Sequence, residues 1–174
     1  MRRMNHSVGL KKQAGFNLIE LLLALGIIVI LFLGVFVTYN MVRSQTESNS
    51  ASKQVLSIRS GVKNLYAGKA SYGVAVINPA LITAGNLPQD VRVDVPTNGL
   101  FNQWNGAITV TGATNVFTLT YAAVPQDACV KVTSDTVASG WQSVTVNGTV
   151  VTNDPVAIAA ACNAAANAIV WTSL

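Results

Sequence analysis

The chain has 174 residues and a formal net charge of +4, and 51% of its residues are hydrophobic whereas only 10% are charged. Its single histidine is His6, so beyond that position the composition excludes Ser–His–Asp and Cys–His catalysis and zinc sites that use imidazole. With no glycine-rich phosphate loop and no cluster of carboxylates in the sequence, we expect no enzyme, no catalytic residue, no metal and no cofactor.

The first informative element is a junction between a basic start and an apolar run. Basic residues at positions 2, 3, 11 and 12 precede Glu20, and seventeen uninterrupted apolar residues, 21–37, follow it. A run of this length can enter a bilayer. A carboxylate at its head costs about 2.5–3.5 kcal/mol on insertion scales, which predicts that Glu20 has a partner.

Two ordinary interpretations of the junction stay open. A secretory signal peptide has the same basic start but a shorter apolar core and a small-residue cleavage site, and the residues after position 37 lack an A-x-A pattern. A plain membrane anchor fits the length, and the excess of basic residues before the span predicts a cytoplasmic N-terminus.

A third interpretation accounts for Glu20. The junction resembles the processing site of type IV prepilins and related pseudopilins, which have a glycine, an apolar residue and a glutamate at the fifth mature position. The matching residues here are Gly15, Phe16, Leu18, Ile19 and Glu20. Asn17 stands where threonine is more common.

The resemblance implies that residues 1–15 are a leader that a prepilin peptidase removes between Gly15 and Phe16. It also implies N-methylation of Phe16 and retention of the apolar helix in the mature protein. In a filament, the ammonium of Phe16 from a neighbouring subunit would neutralise Glu20, because paired buried charges cost much less than unpaired ones. Glu20 would then set the register of subunit addition.

Removal of the leader changes what the net charge indicates. The leader holds four of the eleven basic residues, so seven basic and seven acidic side chains remain and sum to zero. We therefore expect no nucleic-acid partner, since phosphate binding needs clustered lysine and arginine.

Residues 16–70 are predicted to form one long helix, with 16–42 as its membrane or filament-core segment. The pattern is helical from 16 to about 67 except for the polar patch 44–50, and Gly68 is a candidate C-cap. Such a helix of about 75–80 Å is longer than a head of about 100 residues can cover, so its first half needs lipid or other copies. A later apolar stripe should pack on the head: Val55, Ile58, Val62, Leu65 and Tyr66.

The head is predicted to span residues 71–174. After a loop-rich stretch to about residue 100 with a short helix at 79–84, alternation predicts strands at 107–111 and 116–122. A short helix at 126–135 follows. Asn147-Gly148 is typical of a hairpin turn between strands 142–146 and 149–152, with a helix at 156–166 after the Asp154 N-cap and a last strand at 169–172.

Two cysteines, Cys129 and Cys162, fall in the head. An even number in an exported domain predicts a disulfide bond, although two unrelated buried thiols are the alternative. A loop of about 34 residues would stabilise the fold by roughly 3–4 kcal/mol. Thr133, Ser134 and Asn147 are candidates for solvent-exposed positions.

The head adds a second resemblance. The stretch Gly85-Asn86-Leu87-Pro88, the strand entry at Asn105-Gly106 and a late cysteine before a terminal strand resemble type IVb pilins of the plasmid-conjugation and enteric-adhesion kind. This implies an α+β pilin fold in which the long N-terminal helix packs on an antiparallel sheet.

The resemblance also implies a function. The chain would be a structural pilus subunit for adhesion, aggregation or conjugative contact, held in the inner membrane and then exported into the extracellular pilus. Its partners would be identical subunits, the prepilin peptidase and the pilus assembly machinery. A minor pilin or secretion pseudopilin is an alternative within the family, and a membrane-anchored module that captures DNA is one from another class.

Overall fold

The computed structural model describes residues 17–174, apart from the side chains of Val37 and Asn40. The predicted leader and Phe16 lie outside these residues. The chain divides into two compact units at the Met41–Val42 bond. The first contains the whole apolar run, 21–37, and the second contains the head together with the later part of the long helix.

The long helix α1 covers Leu18–Leu65. It runs without a break through the polar patch 44–50, where the sequence predicts an exception. The hydroxyls there fold back onto the helix: Ser48 Oγ donates to the Ser44 carbonyl at 2.9 Å, and Thr46 Oγ1 donates to the Val42 carbonyl at 2.9 Å. This satisfies the polar side chains without ending the helix. Beyond the helix end, Gly68 has a φ of +77°.

The head contains a seven-stranded sheet in which all neighbouring strands are antiparallel, in the order β1-β2-β3-β4-β7-β5-β6. The strands are β1 (Arg92–Asp94), β2 (Gly99–Phe101), β3 (Ala107–Ala113), β4 (Val116–Val124), β5 (Ser143–Val146), β6 (Thr149–Val151) and β7 (Asn167–Ser173). Three shorter helices accompany it: α2 (Asn78–Ala84), α3 (Gln126–Val137) and α4 (Pro155–Ala161). The predicted α+β fold is therefore confirmed.

One face of the sheet forms the core. Alternate residues of β3, β4 and β7 are buried, and Trp171, Tyr121 and Phe117 are the largest of them. Threonines occupy many of the intervening positions and face outward, the alternation typical of an antiparallel sheet with one solvated face. The apolar stripe predicted on α1 is buried at Val55, Ile58 and Val62.

Two regions of the head differ from the sequence prediction. The stretch predicted to be rich in loops contains the short strand β1 and the start of β2. Helix α4 ends at Ala161 rather than at 166. The Asn147 amide donates to the Ala161 carbonyl at 3.0 Å, and Asn167 binds the backbone N–H and C=O of Ala164. These side chains take the backbone groups that a longer helix would use.

Residues 72–77 extend the sheet beside β3, beyond the point where β2 ends. Tyr72 N–H donates to the Thr114 carbonyl at 2.8 Å, and Ile77 N–H donates to the Val110 carbonyl at 2.8 Å. Gly112 allows this close approach, because a Cβ at that position would overlap the Tyr72 carbonyl oxygen. The absence of a side chain at Gly112 therefore permits the close approach of residues 72–77, and the hydrogen bonds hold them against the sheet.

We expect Gly112→Ala to lower the free energy of unfolding by about 1–3 kcal/mol, the usual cost of overpacking. Chemical denaturation of the detergent-solubilised chain measures this. Ala113→Ser, at the exposed next position, is the control and should change stability by less than about 0.5 kcal/mol. Equal effects of the two substitutions would contradict the proposed role of the glycine.

Candidate assembly surface

The most unusual surface of the molecule is the apolar first part of α1. The large apolar side chains between Leu18 and Phe36 for which exposure is described are 46–74% exposed. An 18-residue window of this helix has a mean hydropathy of 3.0. Among the described residues, α1 is the one helix that can cross a membrane by length and composition. A surface of this size and polarity needs lipid or protein to cover it.

Glu20 lies in the first turn of α1 and is exposed. Its backbone N–H donates to the Asn17 carbonyl at 2.9 Å, so the helix begins immediately before the carboxylate. Its predicted partner Phe16 and the cleavage residue Gly15 lie outside the described residues. The roles of all three residues therefore stay predictions.

Serine–aspartate hydrogen bonds join the later part of α1 to the head. The pairs are Ser44–Asp127 at 2.6 Å, Ser50–Asp90 at 2.6 Å and Ser52–Asp135 at 3.2 Å. In each pair a short neutral side chain on the helix donates to a carboxylate of the head. The sequence does not predict these contacts, because a polar patch alone does not indicate which carboxylates its serines will bind.

Arg59 makes a second polar attachment between α1 and the head. Its Nε donates to Ser173 Oγ at 3.1 Å, while its two terminal nitrogens donate to the carbonyls of Ser139 and Gly140. The guanidinium also lies 4.7 Å from the ring centroid of Trp141, a cation–π geometry. One arginine thus holds the last strand and the loop before β5 to the helix.

Cys129 in α3 and Cys162 directly after α4 form a disulfide bond, with Cα atoms 5.8 Å apart. Both residues are fully buried. The bond links the two helices that flank the β5–β6 hairpin in the sequence. The expected exposure of Thr133 is wrong, since this residue of α3 is fully buried. Asn147 is exposed as expected, and its side-chain amide donates to the Ala161 carbonyl and to Asn167 Oδ1.

The sequence of the head and of the later part of α1 matches a known protein family. The family model described as PilS N terminal matches residues 45–174. The chain belongs to the PilS N-terminal family. None of the curated proteins matches the chain.

Solved structures that resemble this PilS-family protein include two pilins. The crystal structure of TcpA, a type IV pilin from Vibrio cholerae El Tor biotype, aligns with a TM-score of 0.55 and 11% identity over 74% of this chain and 99% of that one. The NMR structure of the type IVb pilin PilS from Salmonella typhi aligns with a TM-score of 0.48 and 23% identity over 72% and 94% of the two chains.

The family match and the shared fold confirm the predicted resemblance to type IV pilins of the IVb branch. The PilS-family protein thus shares the fold of a type IV pilin. The apolar part of α1 fits a membrane-anchored precursor. The solved structure that the chain resembles in fold is that of a pilin.

The contact between Ser44 and Asp127 predicts a pH effect. The Ser44 hydroxyl, and to a smaller extent nearby backbone N–H groups, hold the pKa of the Asp127 carboxyl below its ordinary value. A carboxyl with a lowered pKa in the folded state stabilises the fold above its unfolded pKa of about 3.9. This stabilisation disappears as the pH falls through the lowered value.

We therefore expect Ser44→Ala to reduce the thermal stability of the PilS-family protein at neutral pH and to have progressively less effect below about pH 4. Unfolding temperatures across this range measure the difference. Ser57→Ala, on the exposed side of α1, is the control and should show no such trend. A Ser44→Ala deficit that persists undiminished at the acid limit would contradict the assignment.

The disulfide predicts a loss of stability on its removal. We expect the double variant Cys129→Ser, Cys162→Ser to unfold with a free energy lower by roughly 3–4 kcal/mol, the chain-entropy value for its loop. Reductant should destabilise the unmodified protein by a similar amount and leave the double variant unchanged. Reductant sensitivity of the variant would indicate another cause.

Proposed function

We propose that this PilS-family protein is the structural, major subunit of a type IV pilus and that it polymerises through α1. The observation that carries the proposal is the exposed apolar surface from Leu18 to Phe36. Before assembly, the bilayer core would cover it, since a span of about 20 apolar residues matches that thickness. After extraction into a filament, the same side chains of neighbouring copies would cover one another.

The charged end of the helix gives assembly its register in this proposal. Cleavage between Gly15 and Phe16 creates an α-ammonium, and methylation by the prepilin peptidase keeps it cationic. Glu20 is the one ionisable side chain in the described apolar segment from 18 to 36, so it would pair with Phe16 of an adjacent subunit. A subunit that is displaced along the filament would leave both charges unpaired in an apolar environment, which is costly.

The division of the chain follows from these roles. Residues 1–15 are the removed leader, 16–70 the assembly helix with its membrane or filament-core segment at 16–42, and 71–174 the exported head. The inner membrane, the peptidase and the assembly machinery are the partners before export, and identical subunits are the partners in the pilus. The exported head would serve adhesion, aggregation or conjugative contact, and its serine–aspartate contacts, Arg59 and the disulfide would keep it folded outside the cell.

Glu20→Ala tests the proposal most directly. We expect the variant to be processed at a normal rate, because the peptidase cuts before Phe16, but to accumulate as membrane-bound monomer. The yield of sheared filaments should fall at least about tenfold, given a penalty of several kcal/mol for an unpaired buried charge. Immunoblots of sheared and membrane fractions score assembly, and the mass of the monomer scores processing.

The matched control is Glu47→Ala, which removes the other glutamate of α1, a residue that pairs with Arg43 at 2.7 Å. This variant should form filaments. Normal filament yield from Glu20→Ala would refute the register role of Glu20. Abundant sheared fibres of the unmodified chain support the major subunit, whereas trace amounts would indicate a minor pilin or pseudopilin.

A further inference from the structure

The sheet of the head has three free edges, and they differ in chemistry. The edge strand β1 carries Arg92 and Asp94, and charged side chains are a common protection of edges against pairing. The other two edges are residues 72–77 beside β3 and the last strand, β6. Neither contains a charged residue. Residues 72–77 expose Val74 and Val76 instead, and β6 exposes Val150.

At the first of these edges, the backbone of Val76 faces away from the sheet. Val76 lies opposite Thr111. The hydrogen bonds of this bridge come from its neighbours, since Ile77 N–H donates to Val110 and Gly112 N–H donates to Ala75. In an antiparallel ladder, the residue between two such bonds points its own N–H and C=O outward. Within the described chain, no further hydrogen bond engages Val76.

At the second edge, Val150 has the same arrangement. Val146 and Thr149 flank the two-residue turn of the β5–β6 hairpin, so they form the hydrogen-bonded pair. The next pair, Thr145 and Val150, is then the non-hydrogen-bonded one. The N–H and C=O of Val150 therefore point away from β5, and no strand of the described sheet lies beyond β6.

The two valines also point to the same face of the sheet. Their opposite residues, Thr111 and Thr145, are half-buried on the outer face, whereas the neighbouring Val110 and Val144 are buried in the core. Val76 is 53% exposed and Val150 is 66% exposed. If the two edges met, the valine side chains would stand side by side, as in an ordinary cross-strand pair.

We propose that residues 74–76 of one copy pair with β6 of the next copy, so that Val76 and Val150 exchange two backbone hydrogen bonds. This joint rests on the proposed function, because it needs a polymer of identical subunits. It would continue the sheet from one head into the next, a form of strand addition.

Two charged side chains near the edges favour antiparallel over parallel pairing of the two segments. Lys69 and Asp154 are both exposed and take part in no ion pair of the described chain. Lys69 precedes Val76, and Asp154 comes after Val150. Antiparallel pairing places the residues before Val76 beside the residues after Val150, so it brings these opposite charges to the same end of the joint. Parallel pairing would separate them.

The symmetry of the joint suits a filament. The two edges are different surfaces of one head, so each joint uses one edge of each kind and leaves the complementary edge free on both copies. Contacts of this head-to-tail type generate open helical polymers when the rotation does not close into a ring.

A disulfide trap tests the joint in assembled pili. Paired residues in an antiparallel ladder have Cα atoms about 5.5 Å apart, within the range of about 4.4–6.8 Å that a disulfide bond spans. The native cysteines are already joined to each other, so the double variant Val76→Cys, Val150→Cys adds the only free thiols of the described chain. Sheared filaments are oxidised and separated on a non-reducing denaturing gel.

We expect a ladder of covalent oligomers from this variant and none from the control Val95→Cys, Val150→Cys, in which the first thiol is moved to Val95, a 68% exposed residue after β1. Filaments of the Val76→Cys, Val150→Cys variant that remain monomeric on the gel would overturn the joint. Covalent dimers from Val150→Cys alone would also overturn it, because they would show that β6 pairs with itself.

Amide hydrogen exchange on the unmodified protein decides the question if the cysteine variants assemble poorly. The Val76 and Val150 amides should exchange at least about tenfold more slowly in filaments than in the detergent-solubilised monomer, as newly hydrogen-bonded groups do. Equal rates in filament and monomer would reject the joint while leaving the proposed pilus function intact. Failure of the unmodified protein to form filaments would reject both.

Discussion

The structure depends on one constraint, which is that the described residues of the chain leave the apolar surface of α1 exposed. Hydrophobic burial is proportional to the area removed from water, so a helix with this surface is stable only in lipid or among other apolar helices. The burial energy is large but non-directional. Assembly through this surface therefore needs a separate source of register, and Glu20 is the ionisable side chain placed to provide it.

The later part of the same helix meets the opposite requirement. It has to attach a folded head while belonging to a helix whose first part is apolar. Its buried valines and isoleucine face the sheet, whereas small serines and Arg59 form its polar contacts with the head. Short hydroxyl side chains allow close packing and still satisfy the carboxylates, which avoids the entropic cost of ordering long charged side chains. The change from lipid-compatible to head-binding chemistry thus occurs along one continuous helix.

Periodicity was sufficient to predict much of the head. The alternation in β3, β4 and β7, the Asn147-Gly148 hairpin and the cysteine pair all correspond to observed features, because each depends on local sequence or on a simple count. The early end of α4 was not predictable, since it depends on Asn167 and Asn147, which reach backbone groups of another segment. The contacts of Ser44 and Ser50 with Asp127 and Asp90 were likewise not predictable, since they join residues far apart in the sequence. The pairing of Glu20 with Phe16 is still a prediction.

The disulfide and the side chain of Asn147 both hold the part of the head that contains the edge strand β6. The β5–β6 hairpin lies between Cys129 and Cys162 in the sequence, and Asn147 at its turn binds both Ala161 and Asn167. These bonds fix the position of β6 relative to β7.

At the other side of the sheet, the absence of a side chain at Gly112 lets residues 72–77 lie against β3. An edge can select a partner only if its backbone groups are held in an extended arrangement before binding, because ordering it during binding would consume the small gain from two hydrogen bonds. The contacts that stabilise a single head would therefore also hold its two edges ready for pairing. Pairing of the edges would orient neighbouring heads, while burial of α1 would supply most of the free energy of assembly.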